Sequence, residues 1–526
     1  MPMRPLDQPV LEQLMQQLRG SMRSLLFDLC RDFSSSYPGD AKRLGLPIDW
    51  FQNLVRALPL KVFNHWKIVG WIESLNDLLY FVDVREQVRA ERDRHDVASQ
   101  LHAEFQDKFY ENSYADEVFP KGRPEPQRLL PRLDTLCRRL ARECIQESLW
   151  LVPEAACRWI AGRPGRTWQV PCDFGADMER VELACSLAAG LEGQTHGFSK
   201  SLQHALKRAS LKGRVTVRPS GIDLTVRGSR VSLFEAGAAP RWSATLRAPV
   251  ILRRTRYGDL TLGPTLVYDR QRIPTAVRPS PSSAAPRIRL ALQAIEAAWP
   301  EGNDWLALFT SRICPLRAKG VVSFSYRHRP GLSVINCFDR DNLDLIDDLI
   351  HENSHHHLNL LLRKYAMYGG DHNQEIFYSP WRRSLRPIRG ILHATFTFTM
   401  GALLFERLSS WAESPAGRRG WKATGLTARD LRRARFRCFE EIESVRYSLQ
   451  DLAYAGDKLK WLTASGRHLT QQLCAALDAA EKRIEPYRRA VLKSEFGPAL
   501  RGHIKELGQA RGDYGPMGKG RGSRLC

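Results

Sequence analysis

The sequence predicts an α+β protein, mainly helical, with a central antiparallel β region and a helical domain carrying an HExxH pattern. Long stretches near both ends repeat apolar residues at three-and-four spacing, the signature of amphipathic helices. Between about 166 and 275 the period changes to alternation, the signature of half-buried strands. His351-Glu352-Asn353-Ser354-His355 then lies inside an apolar-periodic run, DLIDDLIHENSHHHLNLLLRKY, which reads as a helix.

Residues 1–165 read as an N-terminal helical region, on the strength of VLEQLMQQLRGSMRSLLFDLC and LDTLCRRLARECIQESLWLV. The aromatic-rich stretch between them places Trp50, Trp66 and Trp71 in the core or at helix contacts. Residues 166–277 form a β-rich basic region. GRVTVRPSGIDLTVRG alternates around Pro219-Ser220-Gly221 as a hairpin should, and WSATLRAPVILRRT and DLTLGPTLVYD continue the alternation. Lys207, Arg208, Lys212, Arg214, Arg218, Arg227 and Arg230 are opposed there only by Asp223. That cationic run fits a solvated strand face, or a docking surface for an acidic peptide.

RPSPSSAAP, residues 278 to 286, concentrates proline and serine and marks a boundary. Residues 278–410 follow as the HExxH core: the helix ALQAIEAAW, the strand-like runs VVSFSY and LSVINCF, and a helix opening near Asp341 and Asn342, both good capping residues. Residues 411–510 are a C-terminal helical region, with amphipathic stretches from Thr427 to Leu452 and from His468 to Val491. Residues 511–526, glycine-rich and basic, read as a flexible tail.

Composition narrows the class. With 43% hydrophobic and 26% charged residues the chain is ordinary globular material. The first twenty residues lack the basic-then-apolar layout of a secretory signal, and GILHATFTFTMGALLFERL is interrupted by His393 and three threonines, so a buried helix is expected rather than a membrane span. The eleven cysteines form no CxxC pair, which argues against a zinc ribbon or an iron-sulfur cluster and fits reduced thiols in a cytoplasm. The net charge, 79 minus 57 or +22, favours anionic partners. No zinc finger, RNP-type strand or helix-turn-helix pattern directs that charge to nucleic acid.

His351 and His355 are one helical turn apart on the same face, where two imidazoles can reach one divalent cation. His356 and His357 are turned away from His355 by about 100° and 200°. A working site needs a third protein ligand and an open position. Two residues compete for it. Glu375 lies twenty residues after His355, a separation used by zinc peptidases whose ligand comes from a second helix. His393 opens the apolar helix that follows the dense loop Tyr378-Ser379-Pro380-Trp381-Arg382. Asp371 and His372, after Gly369-Gly370, read as loop residues.

HExxH, then Ser379-Pro380-Trp381-Arg382, Arg386-Pro387 and Gly390-Ile391-Leu392-His393 ahead of an aromatic-rich helix, resembles the HExxH-motif peptide-modification proteins of ribosomal-peptide biosynthesis. Some of those proteins act as iron(II)- and alpha-ketoglutarate-dependent peptide beta-hydroxylases. The resemblance spans roughly residues 320 to 405. It implies His351, His355 and His393 as metal ligands, Arg382 as the cation that binds the co-substrate carboxylate, and Arg386 as a second cation. A planar guanidinium offers paired donors to the distal carboxylate of a keto acid, which agrees with that assignment.

Two chemistries then meet at Glu352. In an iron(II)/alpha-ketoglutarate-dependent hydroxylase it would orient a ligand or hold the peptide; in a zinc metallopeptidase it would be the general base acting on metal-bound water. The expected protein is a cytoplasmic, non-membrane enzyme acting on a peptide or protein substrate, with an acidic one favoured by charge. Imidazole ligands are compatible with iron or zinc and do not choose between them.

Overall fold

The computed structural model describes residues 5–149 and strand segments between 214 and 276, both with short interruptions, and residues 284–515. The protein is α+β with a helical bulk, as the periodicity predicts. It divides into two compact units. One comprises 17–249 and 265–276; the other comprises 1–16, 250–264 and 277–526.

The first unit contains most of α1 (Gln8–Ser35), then α2 (Pro38–Leu44), α3 (Ile48–Ala57), α4 (Trp66–Ala90), α5 (His95–Lys108), α6 (Tyr114–Val118) and α7 (Pro126–Leu149). Helices α4 and α7 pack on each other, and Phe81 meets Phe105 and Tyr114 edge-on at 5.3 and 5.0 Å. Trp66 and Trp71 are buried, as expected, while the side chain of Trp50 lies outside the described residues. Arg85 is fully buried among Asp40, Glu86 and Asp134, which supply the carboxylates that a guanidinium taken out of water requires.

The same unit holds an antiparallel four-stranded sheet of β1 (Arg214–Val217), β2 (Ile222–Arg227), β3 (Arg230–Glu235) and β4 (Trp242–Thr245), and a two-stranded antiparallel ladder of β7 (Leu266–Tyr268) and β8 (Pro274–Ala276). Strands β1 and β2 pair antiparallel with Val217 opposite Leu224, on either side of the predicted turn residues Pro219-Ser220-Gly221, which lie outside the described residues. The cationic run from Lys207 to Arg230 has its side chains outside the described residues, as does most of the proline-serine linker.

In the second unit, β5 (Val250–Thr255) and β6 (Gly258–Leu262) form a hairpin that alternation assigns to the β-rich region. They belong instead to a mixed five-stranded sheet, order β10-β11-β9-β6-β5, with β9 (Arg312–Leu316), β10 (Phe324–Ser325) and β11 (Leu332–Asn336). Strand β6 pairs parallel with β9, some fifty residues on, a non-local choice that strand periodicity does not encode. Strands β9 and β11 are buried almost throughout, as parallel neighbours covered on both faces should be.

Helices α8 (Ala284–Ala298) and α9 (Pro300–Phe309) pack against α10 (Asn342–Lys364), which bears the histidine motif. Asp341 caps α10. Its carboxylate accepts the Asp344 N–H at 2.9 Å, and Asp344 accepts the Asp341 N–H at 3.2 Å, which fixes where the helix begins. Helix α11 (Ile388–Glu413) starts after Pro387. It is long and apolar enough to cross a membrane, yet most of it is buried against α10, α12 (Pro415–Ala423), α13 (Ala428–Asp457) and α14 (Ala464–Ile484). An all-round apolar helix needs such a surround.

The predicted run from His468 to Val491 is broken: α14 ends at Ile484, and Glu485-Pro486-Tyr487 form a 3₁₀ turn before α15 (Arg488–Lys493). Pro486 removes a backbone donor there. Arg511 to Tyr514, read from composition as the start of the tail, are the last turn of α16 (Gly497–Tyr514). Tyr514 stacks on Tyr378 at 5.5 Å and Arg511 pairs with the buried Asp451, contacts that order a segment whose composition looks disordered. Residues 516–526 lie outside the described residues.

Candidate metal centre

His351 and His355 project from one face of α10 with ring centres 5.0 Å apart and planes at 80°. The Glu352 carboxylate joins them, so that one ligand atom from each of the three lies within 4.8 Å of the others. A tetrahedral ion with bonds of about 2 Å holds its ligand atoms roughly 3.3 Å apart, so small side-chain rotations would close the set.

His393, in the second turn of α11, brings its ring to 6.2 Å from that of His355, with planes at 30°. Glu375 is exposed on the loop before β12 (Phe377–Ser379), and neither it nor His393 belongs to the His351-Glu352-His355 group. Of the two residues that compete for the third position, only the imidazole is beside the motif. His356 and His357 point elsewhere, as the helical geometry requires. His356 Nε2 lies 3.2 Å from the Ser333 hydroxyl; His357 donates to the Pro5 carbonyl at 2.7 Å and stacks on Phe309 at 4.6 Å. Burial drives these two rings down to about 4 and about 3, so they are neutral core residues.

Burial also lowers His351 and His355. The neighbouring imidazoles add to the effect at His355, and the Arg382 guanidinium adds to it at both rings, whereas Asp347 opposes it at His351. Neutral imidazole is the form that binds metal. Burial pushes Glu352 up to about 8 against a hydrogen bond from Ser325. Its Oε2 is buried without a hydrogen-bond partner. An orphaned carboxylate oxygen in a dry site costs free energy, and a dication among two imidazoles would satisfy it and reverse the pKa shift. By donor chemistry the cluster fits a divalent transition metal.

The loop that follows is a tight hairpin. Strands β12 and β13 (Ser384–Arg386) pair antiparallel, Arg383 N–H donates to the Ser379 carbonyl at 2.8 Å, and Arg383 takes a left-handed φ of 51°. Trp381 lies flat on Phe398 at 4.3 Å and 6°, and Phe398 meets His351 edge-on at 5.0 Å. Arg382 is exposed, and its guanidinium makes no hydrogen bond with another described residue. Arg386 sits half-buried on β13.

Helix α13 contributes residues that sequence reasoning misses. Trp381 Nε1–H donates to Glu441 Oε2 at 2.9 Å; Arg437 donates to Glu441 Oε1 at 2.9 Å and reaches Asp347, one turn before His351, at 3.2 Å. Burial pushes Glu441 up to about 7, while Arg437 and Trp381 pull it back. A sequence signal exists. Ala434, Cys438, Glu441, Val445, Ser448 and Leu452 recur at four-and-three spacing on the buried face, and Glu441 is the one charged member. Beside this network opens a cleft of about 440 Å³ lined by Trp381, Phe398, Arg437, Glu440, Ser444 and His503, among others.

Compared with known proteins, the chain matches no family model and no curated protein.

Proposed function

We propose that this protein is a metal-dependent enzyme that modifies a peptide or protein, and that it is an iron(II)/alpha-ketoglutarate-dependent side-chain hydroxylase. One observation carries the reading: the His393 ring lies 6.2 Å from that of His355, beside the His351–His355 pair, while Glu375 stays exposed.

In this reading His351, His355 and His393 hold the metal. When bound, iron(II) would supply the oxidising chemistry with dioxygen and alpha-ketoglutarate, converting a C–H bond to C–OH while the keto acid becomes succinate and carbon dioxide. Arg382, exposed and with no hydrogen bond from its guanidinium to another described residue, would take the distal carboxylate of the keto acid in a charge-assisted pair. Arg386 is the second cation of the same hairpin. Phe398 and Trp381 wall off one side of His351 and keep it dry. Glu352, whose carboxylate lies within 4.8 Å of the His351 and His355 ligand atoms, would orient a ligand or hold the peptide. The net charge of +22 favours an acidic substrate.

A second reading, a zinc metallopeptidase, is supported by Glu352. One of its carboxylate oxygens lies within 4.8 Å of the His351 and His355 ligand atoms, where a general base for metal-bound water belongs. Anaerobic loading with iron(II), followed by alpha-ketoglutarate and oxygen with succinate as the readout, separates the two. Succinate formation that requires His351 and His355 supports the hydroxylase. Metal-dependent peptide cleavage without succinate would replace it with the peptidase.

A further inference from the structure

We infer that Glu441 and Arg437 are positioning residues that tie the Trp381 hairpin, and with it Arg382, to the His351 side of the metal centre. The inference deepens the hydroxylase reading, on which its consequence for co-substrate capture rests; the anchoring itself does not depend on which metal binds.

Glu441 is only 3% exposed, yet both of its oxygens are used, one by the Trp381 indole and one by Arg437. An apolar residue at that point would complete the buried stripe of α13 without the cost of desolvating a carboxylate. What the carboxylate adds is direction. It fixes the indole plane by its Nε1–H, and the indole, held flat on Phe398, sets where the next residue, Arg382, leaves the backbone.

Two routes run from the hairpin to the turn of α10 that bears His351. One passes by stacking from Trp381 through Phe398 to the imidazole. The other passes by hydrogen bonds and charge from Trp381 through Glu441 and Arg437 to Asp347. Arg437 is itself gripped by Asp347, Glu440 and Glu441, so it cannot swing away without stranding the buried Glu441 carboxylate. The hairpin is also held by the short β12–β13 ladder, by an ion pair from Arg383 to Glu506 and by packing of Tyr378 against Tyr447, Leu507 and Tyr514. The α13 anchor adds to that packing a directed bond at Trp381, the residue next to Arg382.

The test is hydrogen exchange across residues 377–386 in the full-length protein, comparing wild type with Glu441→Leu, Glu441→Gln and Trp381→Phe. Loss of a hydrogen bond to a charged group predicts on the order of 10-fold or more loss of hairpin protection in Glu441→Leu and Trp381→Phe. Protection of residues 342–364 should be unchanged, and Glu441→Gln, which keeps an acceptor for the indole, should recover most of the loss. The double variant Glu441→Leu/Trp381→Phe should be no worse than either single change, because both break the same bond.

Unchanged hairpin protection in Trp381→Phe, or full additivity in the double variant, overturns the inference; Trp381→Phe decides alone if Glu441→Leu does not fold. A second arm measures alpha-ketoglutarate binding to cobalt(II)-loaded protein. Glu441→Leu should weaken it about 10-fold while cobalt affinity holds. Wild-type protein that ignores alpha-ketoglutarate, with hairpin protection still lost in the variants, would remove the hydroxylase reading and leave the anchoring standing.

Discussion

The ring of His393 lies 6.2 Å from the ring of His355 although thirty-eight positions separate them in the chain. Helices α10 and α11 pack along their length, and that packing carries the second-turn imidazole of one to the motif face of the other. Replacing His393 by Ala should therefore weaken cobalt(II) binding by at least about 10- to 100-fold, whereas Glu375→Ala should leave it unchanged. Calorimetric titration measures both, and the opposite ranking would transfer the third position to the glutamate.

Arg382 is exposed, its guanidinium bonds no other described residue, and its charge lowers both His351 and His355. Arg382→Ala should raise the KM for alpha-ketoglutarate by roughly 10- to 100-fold with little effect on metal affinity, as expected for loss of a charge-assisted pair, and Arg382→Lys should recover only part of it. Steady-state succinate formation reads this directly. Normal KM and normal turnover in the alanine variant would show that another group binds the keto acid.

Phe396 is fully buried on α11 and meets His357 edge-on at 5.1 Å. Its truncation leaves a cavity beneath the motif helix. Phe396→Ala should cost about 3–5 kcal/mol of unfolding free energy, measured by urea denaturation. A loss below about 1 kcal/mol would mean that α10 and α11 are not packed as described.

Burial pushes the Asp348 carboxyl up to about 6 from an ordinary 3.8, against a hydrogen bond from Ser323 and the charge of Arg340. A carboxyl whose pKa is raised by folding binds its proton more tightly in the native state, so its contribution is fully present below about 3.8 and is lost as pH rises through about 6. Wild type should lose stability relative to Asp348→Asn between pH 4 and pH 7. Parallel urea-stability profiles for the two proteins over that interval would contradict the assignment.

The sequence by itself determined the local order of this protein. Three-and-four spacing placed α1, α7, α10 and α13; Asp341 and Thr427 marked helix starts that the structure caps with their side chains; and Pro219-Ser220-Gly221 marked a hairpin. These features are legible because caps, turns and amphipathic periods are settled within a few residues of chain. The pairing of His351 with His355 belongs to the same class, since one helical turn decides it.

Tertiary structure alone decided the rest. Whether His393 or Glu375 stands beside the motif depends on how α11 crosses α10. That β6 joins β9 in a mixed sheet, away from the β-rich region its alternation suggests, depends on a parallel pairing between distant strands. Glu441 reads as one more charge on an amphipathic helix until the fold buries it under Trp381. In each case the deciding energy is packing or desolvation between segments far apart in sequence, and no short-range pattern carries that information.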